Sequence, residues 1–577
     1  MADNSLKQLL KYLFAYKAQL LAALVLAVVN VAATLYAPII TGDAVDLIVG
    51  KGNVDFEGLK PLLSAFAVTI AVACLSQYFM NLCLNKATYF AVRDLRNDAF
   101  DKFSRLPLKY IDSNPKGEII SRLISDIEQI SDGLILGFAQ LFTGVITIIG
   151  TFFFMLSINV RIALVVVVLT PLSLFAARFI AKNTFNFFKE QTTVRGELTS
   201  FVEETTGNQK TLKAFSHEAR SQEDFEKLNQ QFKSVSVRAI FFSSLTNPTT
   251  RFINGLVYAA VGIIGAFSII SGSFSVGALS CFLTYANQYT KPFNEISSVV
   301  TELQGAFACA KRVMELINEP QEAEDKANAV VLENPDGTMK AESVYFSYRE
   351  DVPLIESFNL DVKTGQRIAI VGPTGCGKTT FINLLMRFYD VDGGSITLSG
   401  VNIKDCTRDS VRAAYGMVLQ DTWLMQGTVR ENISYSKPDA DISEVEAAAK
   451  AAHCDGFIRR LENGYDTVIG SDGGTLSAGQ KQLLCIARVM LSLPQMLILD
   501  EATSSIDTRT EILVQQTFAE MMEGRTSFII AHRLSTVRNA DCIIVMDAGH
   551  IIEQGTHEQL MSKNGFYARL YNSQFEN

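Results

Sequence analysis

The first half of the chain alternates between long stretches without any charge and stretches where apolar residues recur at helical spacing among lysines and arginines. Residues 18–40, 61–85 and 134–158 are uncharged, a fourth run leads from 162 towards Arg178, and the longest covers 252–290. Each is long enough to cross a hydrocarbon core of about 30 Å as a helix. The longest is broken by Ser271-Gly272-Ser273-Phe274-Ser275, which divides it into two passes. The pattern predicts about six membrane helices of roughly 17–25 apolar residues each.

Basic residues orient these passes. Lys86, Arg93, Arg96, Lys102, Arg105, Lys109 and Lys116 crowd one long loop, and residues 178–251 are also rich in Lys and Arg. Loops 43–57, 159–161 and 271–275 are short or poor in them, so both termini and the two long loops are predicted to be cytoplasmic. Val92, Leu95, Ala99, Phe103 and Leu106 keep helical spacing, so the membrane helices continue beyond the bilayer. Residues 108–117, with Pro115 and Gly117, cannot stay helical throughout, and a second break is predicted near 203–208. Residues 1–17 alternate apolar and basic positions and read as an interfacial helix; no small-residue cleavage site follows them.

Asn30, Gln77, Asn81, Gln140, Asn254, Asn287 and Gln288 are the few polar residues inside the spans, with Arg251 and Lys291 at the edges. Lipid penalises such side chains, so they are expected to face the bundle interior or a water-filled path, or to bond between helices. No Asp or Glu lies within a span, which argues against proton-coupled transport.

From about residue 315 to 334 the chain turns acidic and loses its periodicity, with Pro320 inside the stretch. The expected organisation is an N-terminal helix (1–17), a membrane domain (18–318), a linker (319–340) and a second domain (341–577). There the pattern becomes that of a soluble α/β protein: residues 341–348, 395–398, 416–419, 527–531 and 542–546 read as strands. A parallel-rich core with an antiparallel edge and a helical insert around 444–488 is predicted. A net charge of −9 over 577 residues argues against a nucleic-acid partner. The nine cysteines are scattered without a C-x-x-C pair, as in a reduced compartment.

Chemistry concentrates at Gly372-Pro373-Thr374-Gly375-Cys376-Gly377-Lys378-Thr379-Thr380, a G-x-x-x-x-G-K-[ST] phosphate loop set between the strand-like residues 367–371 and an apolar-faced helix. Glycines let the backbone close around phosphate oxygens, and the helix N-terminus faces the negative charge. Lys378 would reach the β- and γ-phosphates and the Thr379 hydroxyl would face Mg²⁺. Residues 496–499 form an apolar strand ending in Asp500 and Glu501, where a parallel sheet delivers groups to a phosphate site. Asp500 is suited to hold Mg²⁺ through water, and Glu501 to polarise the attacking water.

Leu476-Ser477-Ala478-Gly479-Gln480 lies upstream of that strand, ahead of a helix-like run. With these motifs in order, the segment from about residue 341 to the end resembles the nucleotide-binding domain of ABC transporters. The resemblance implies a helical transmembrane domain, six helices with long cytoplasmic extensions, fused to an α/β phosphate-loop ATPase. It implies that Tyr348 stacks on adenine and that the loop from Thr374 to Thr380 cradles the phosphates of ATP. Gln420, with Thr379 and Asp500, would serve Mg²⁺ and begin the loop coupling to the membrane. Asp507 would lie in the D-loop, and His532 would switch on the γ-phosphate. Ser477, Gly479 and Gln480 would bind the ATP held by the opposite subunit, so two chains are needed. The breaks at 108–117 and 203–208 would carry coupling helices, as in the exporter branch.

Two departures stand out. The family's signature has Gly where this chain has Ala478, and Gly-Glu-x-Gly is replaced by Gly470-Ser471-Asp472-Gly473. Both changes resemble the catalytic-Glu subunit of asymmetric bacterial exporters, which implies a heterodimer; drift within a homodimer is the alternative. The function expected is export of amphiphilic drugs, lipids or peptides across the inner membrane. An ATP-gated channel or regulator, or a homodimeric lipid flippase, is the competing reading, and a soluble DNA-repair ATPase fails on the membrane runs.

Overall fold

The structure is a computed structural model that describes residues 2–48, 54–349, 351–419, 422–470, 474, 476–500, 507–530 and 537–575. It forms two compact units, Met1–Arg105 with Asn114–Glu319, and Leu106–Ser113 with Pro320–Asn577.

The first unit is helical: α1 (Ala2–Phe14), α2 (Lys17–Asp46), α3 (Phe56–Ser104), then, past α4 (Leu108–Ser113), α5 (Lys116–Leu123), α6 (Ser125–Ile158), α7 (Val160–Gly207), α8 (Gln209–Ala214), α9 (Glu218–Ser244), α10 (Thr246–Ile270) and α11 (Val276–Asn318). Asp55, Asn159 and Ser275 cap α3, α7 and α11 by accepting first-turn N–H groups, which fixes where these helices begin. Within this unit the predicted breaks fall where α5 starts behind Pro115 and where α7 ends at Gly207.

Four stretches of the described residues are long and apolar enough to cross a membrane, in Lys17–Asp46, Phe56–Ser104, Lys116–Ile158 and Glu218–Ile270. In α7 the apolar stretch among the described residues is the shorter Val160–Leu172. α11 carries Asn287, Gln288 and Lys291 within its length. Leu21, Val25, Val28, Leu63, Val68 and Leu75 are exposed on α2 and α3, an apolar surface too large to leave in water.

Where α2 meets α11, Gly42 and Gly277 let the backbones touch; a Cβ on Gly277 would collide with the Gly42 carbonyl oxygen. Asp46 closes that end by accepting from the Ser275 hydroxyl at 2.6 Å and the Gly277 N–H at 2.7 Å. Arg312 of α11 donates a two-pronged pair to Asp126 of α6 at 2.8 and 2.6 Å. The apolar face of α1 is used within the protein, with Leu9 and Leu13 buried against Ala91, Leu95, Ile127 and Val313. Tyr12 donates to Asp98 at 2.7 Å, fastening α1 to α3. The sequence places this helix on the membrane surface for want of a soluble domain to pack against. The long helices themselves supply that surface.

In the second unit, β1 (Met339–Phe346), β2 (Ile355–Val362), β4 (Gly393–Leu398) and β5 (Val401–Asn402) form an antiparallel sheet in the order β2-β1-β4-β5. The main sheet runs β12-β11-β3-β10-β9-β6, from β3 (Arg367–Val371), β6 (Tyr415–Val418), β9 (Met496–Asp500), β10 (Thr526–Ile530), β11 (Cys542–Asp547) and β12 (His550–Gly555). All its neighbours pair in parallel except β12, the antiparallel edge. Its central strands are buried on both faces, as continuous apolar runs require. α12 (Lys378–Leu385) and α13 (Arg408–Ala413) belong to this core. A short ribbon, β7 (Gly427–Thr428) with β8 (Val468–Ile469), accompanies the helical insert α14 (Val429–Ile433), α15 (Ile442–Ala451), α16 (Asp455–Ile458) and α17 (Ala478–Ser492), and α18 (Thr508–Met522) follows β9.

The acidic stretch after Pro320 is fastened to this unit rather than loose. The Arg408 guanidinium is buried among three carboxylates, 2.8 Å from Asp325 and 3.2 Å from both Glu322 and Asp390, and also donates to the Ala323 carbonyl at 2.6 Å. Arg412 adds a bond to Glu322 at 2.9 Å, and Val330 pairs with Cys406. Replacing Arg408 by Ala leaves these acids facing one another. The expected loss is about 2 kcal/mol of ATPase-unit stability, less than for a fully buried pair because the carboxylates keep some water. Chemical unfolding and faster proteolysis between residues 319 and 330 check this outcome.

Candidate nucleotide site

The phosphate loop leaves the buried strand β3 and runs directly into α12. Gly372, Gly375 and Gly377 adopt φ of 155°, 85° and 102°. At Gly372 glycine is also required by packing, since a Cβ would collide with the Met546 carbonyl oxygen of neighbouring β11. Cys376 is buried beneath the loop and its carbonyl accepts from Gly549 N–H at 3.0 Å. The Lys378 ammonium curls back over the loop, donating to the carbonyls of Gly372 and Pro373 at 2.8 and 2.9 Å. Thr374, Gly375 and Thr379 are exposed, and Thr380 is buried on the sheet side of the helix.

Register across the parallel strands brings Asp500 to the same edge. Ile530 of β10 stands level with Ile370 of β3 on one side and with Asp500 of β9 on the other. Asp500, half-buried, therefore ends two strands from the point where β3 enters the phosphate loop. Glu501, His532 and Gln420 lie outside the described residues, as does Ser471.

Tyr348 is half-buried and packs edge-on against Phe346 and Tyr389, with ring centroids 5.0 and 5.1 Å away. Asn383 of α12 donates to its hydroxyl at 3.4 Å, tying the ring to the phosphate-loop helix. Ser477 caps α17 in a reciprocal box: its hydroxyl accepts from Gln480 N–H at 3.3 Å, and the Gln480 side chain accepts from Ser477 N–H at 3.0 Å. Ser477 and Ala478 are exposed at the start of this 15-residue helix, while Gly479 is buried. A helix N-terminus of that length attracts an anion. Asp507 caps α18 by accepting from Thr510 N–H at 3.0 Å, and that bond holds its carboxyl below the usual range.

Tyr389 has a role the motifs do not reveal. Its hydroxyl donates to Asp112 of α4 at 2.5 Å, and Leu108 of α4 packs against the ATPase core. The sequence marks the chain break that frees α4, but nothing local marks a partner 277 residues away.

Residues 20–293 match the family model described as ABC transporter transmembrane region, and residues 355–504 match the one described as ABC transporter. A fatty acid ABC transporter ATP-binding/permease protein of Mycobacterium bovis is 39% identical over 535 residues, 93% of this chain and 84% of the relative. The chain belongs to the ABC transporter family. An ATP-dependent lipid A-core flippase of Syntrophus aciditrophicus is 33% identical over 571 residues, 99% of this chain and 94% of that protein. Among solved structures, a bacterial Atm1-family ABC exporter with ATP bound is similar at a TM-score of 0.74 and 28% identity, covering 100% of this chain and 98% of that one. One membrane region and one ATPase on a single chain make this ABC protein a half-transporter of the exporter type, which binds ATP and couples its hydrolysis to transport.

Lys378→Ala removes the cation set over the loop. ATP affinity is expected to fall at least about tenfold, the effect of losing roughly 1.5–3 kcal/mol in charge-assisted hydrogen bonds. Equilibrium binding of a fluorescent ATP analogue measures this; unchanged affinity removes Lys378 from the site.

Proposed function

We propose that this chain is one half of a heterodimeric exporter in a bacterial cytoplasmic membrane, with both termini and the ATPase inside. It moves amphiphilic drugs, lipids or peptides outward by alternating access. Its partner is a second ABC half-transporter whose own site hydrolyses ATP poorly. The aligned carboxyl ends of β3, β10 and β9 carry the catalytic part of this reading, because in sequence the phosphate loop follows β3, His532 follows β10 and Glu501 follows β9. The names of the mycobacterial and Syntrophus relatives support a cargo with a lipid-like body.

In this reading Tyr348 stacks on adenine, the loop from Thr374 to Thr380 holds the phosphates and Lys378 neutralises their charge. Glu501 orients and deprotonates the attacking water, and His532 holds the γ-phosphate in line. Gln420 passes the state of that phosphate to the membrane helices. Thr379 and Asp500, with Gln420, suit Mg²⁺: all are oxygen donors, and this cation takes few protein ligands when phosphates and water complete its shell. When bound, it supplies charge neutralisation at the β- and γ-oxygens. Ser477, Gly479 and Gln480 cover the partner's ATP, and Asp507 lies between the two sites.

Ala478 supports asymmetry. It adds a methyl at the exposed start of α17, where glycine would let phosphate approach the N–H groups more closely. If the signature of this chain faces a poorly hydrolysing site, damage to it costs less than damage to Glu501. Glu501→Gln is expected to lower ATP turnover by about 10²–10⁴ while ATP still binds. Ser477→Arg, assembled with the natural partner, is expected to retain most of the turnover. An equally deep loss in both variants means that every signature faces a competent site, and the heterodimer gives way to a homodimer.

A further inference from the structure

A cavity of about 320 Å³ lies within the helical unit, between α2, α3 and α11. It sits towards the bundle end where Asp46 bonds to Ser275 and Gly277. Its polar lining comes from Thr34 and Thr41 of α2, Thr69 of α3, and Ser280, Thr284 and Gln288 of α11. Among the described residues, no Asp, Glu, Lys, Arg or His lines it. The smaller neighbouring cavity that shares Thr34 is lined by Asn30, Gln77 and Gln140 and, among the described residues, has no charged side chain either.

The threonine hydroxyls of the lining spend their protons on their own helices. The hydroxyls of Thr34, Thr41, Thr69 and Thr284 each donate to the carbonyl one turn back in their own helix, at 2.8, 3.0, 2.8 and 3.0 Å. Their protons are committed, so only oxygen lone pairs are left to offer. Pro38 also lines the cavity and has no N–H to give to the carbonyl of Thr34, which adds another acceptor. Gln288 Oε1 is buried and accepts no hydrogen bond from the described residues. A buried acceptor without a donor is costly, and a ligand that brings the donor removes that cost.

We infer that this cavity binds the head group of a neutral amphiphile that donates hydrogen bonds, such as an alcohol or acylglycerol, with Gln288 and Thr284 as specificity-determining residues. The inference rests on the exporter reading and narrows its cargo. A carboxylate or phosphate head would bring charge to a low-dielectric site that offers no cation among the described residues. A quaternary ammonium head would find no counter-charge and has no proton to donate. The apolar part of the lining, Phe66, Ile70 and the alanines of α2 and α3, suits the first carbons of a chain.

The test uses the full-length protein with its co-purifying partner in phosphatidylcholine vesicles. ATPase stimulation is titrated with 1-monolaurin, laurate and dodecyltrimethylammonium, which share a twelve-carbon body and differ in head charge. Monolaurin is expected to stimulate at the lowest concentration. Gln288→Leu, which removes the acceptor at similar volume, is expected to raise its half-maximal concentration about fivefold, the scale of one lost hydrogen bond. Thr284→Val gives a second, independent reduction in the same response. Laurate or dodecyltrimethylammonium matching monolaurin overturns the head-group assignment and leaves the exporter standing. So does a monolaurin response that neither substitution shifts. Silence towards all three probes overturns the amphiphile cargo together with this site.

Discussion

Parallel pairing of β10 with both β3 and β9 is the constraint on which the ATPase half depends. Parallel strands cannot be joined by hairpins, so each must be separated from the next by a long connection. Here those connections contain the helical insert and α18. Pairing then brings Ile370, Ile530 and Asp500 level, although 160 residues separate the first two. A shift of register would move Asp500 away from the phosphate loop and exchange the side chains that each buried strand presents to its two faces. Gly372 is held to the same geometry, since β11 passes so close that no side chain fits there.

The helical half answers a different constraint, the need to satisfy every backbone polar group without water. Threonines on α2, α3 and α11 bond back to their own helices, which lets them sit among apolar side chains at little cost. That solution spends their protons and leaves only their lone pairs near the unbonded Gln288 Oε1. Close contact at Gly42 and Gly277 and the bonds from Ser275 and Gly277 to Asp46 hold that end of α2 against α11. The polarity of the cavity is therefore a by-product of how helices keep their own hydrogen bonds intact.

Legibility in the sequence followed locality. The phosphate loop, the strand ending at Asp500 and the capped start of α17 are each written within about a dozen residues. Their chemistry could be read without knowing what they pack against, and the long apolar runs announce helices for the same reason. Arg408 could not be read this way, because an isolated arginine followed by aspartate looks like a solvated turn until Glu322 and Asp325 are brought to it. The bond between Tyr389 and Asp112 was hidden for that reason too. α1 was legible as an amphipathic helix, but periodicity says only that one face is apolar. Whether lipid or protein covers that face is decided by α3, α6 and α11.

The attachment at Arg408 matters for how the nucleotide site feels the chain that leads into it. Chain leaving α11 at Glu319 meets its first charged anchor at Glu322, held by Arg408 and Arg412. Asp325 is shared between Arg408 and Arg387, and Arg387 lies two residues beyond the end of α12. The other end of α12 begins with Lys378. Arg387 is also held in the left-handed region at φ 51°, anchored by its bonds to Asp390 and the Cys406 carbonyl. A salt bridge on a free surface would yield under load, because its partners exchange readily for water. Arg387 and Arg408 are nearly buried and bound by several groups at once, so their partners exchange for water far less readily. The stretch after Pro320 is thus fastened, within the ATPase unit, to the far end of the helix whose first residue is Lys378.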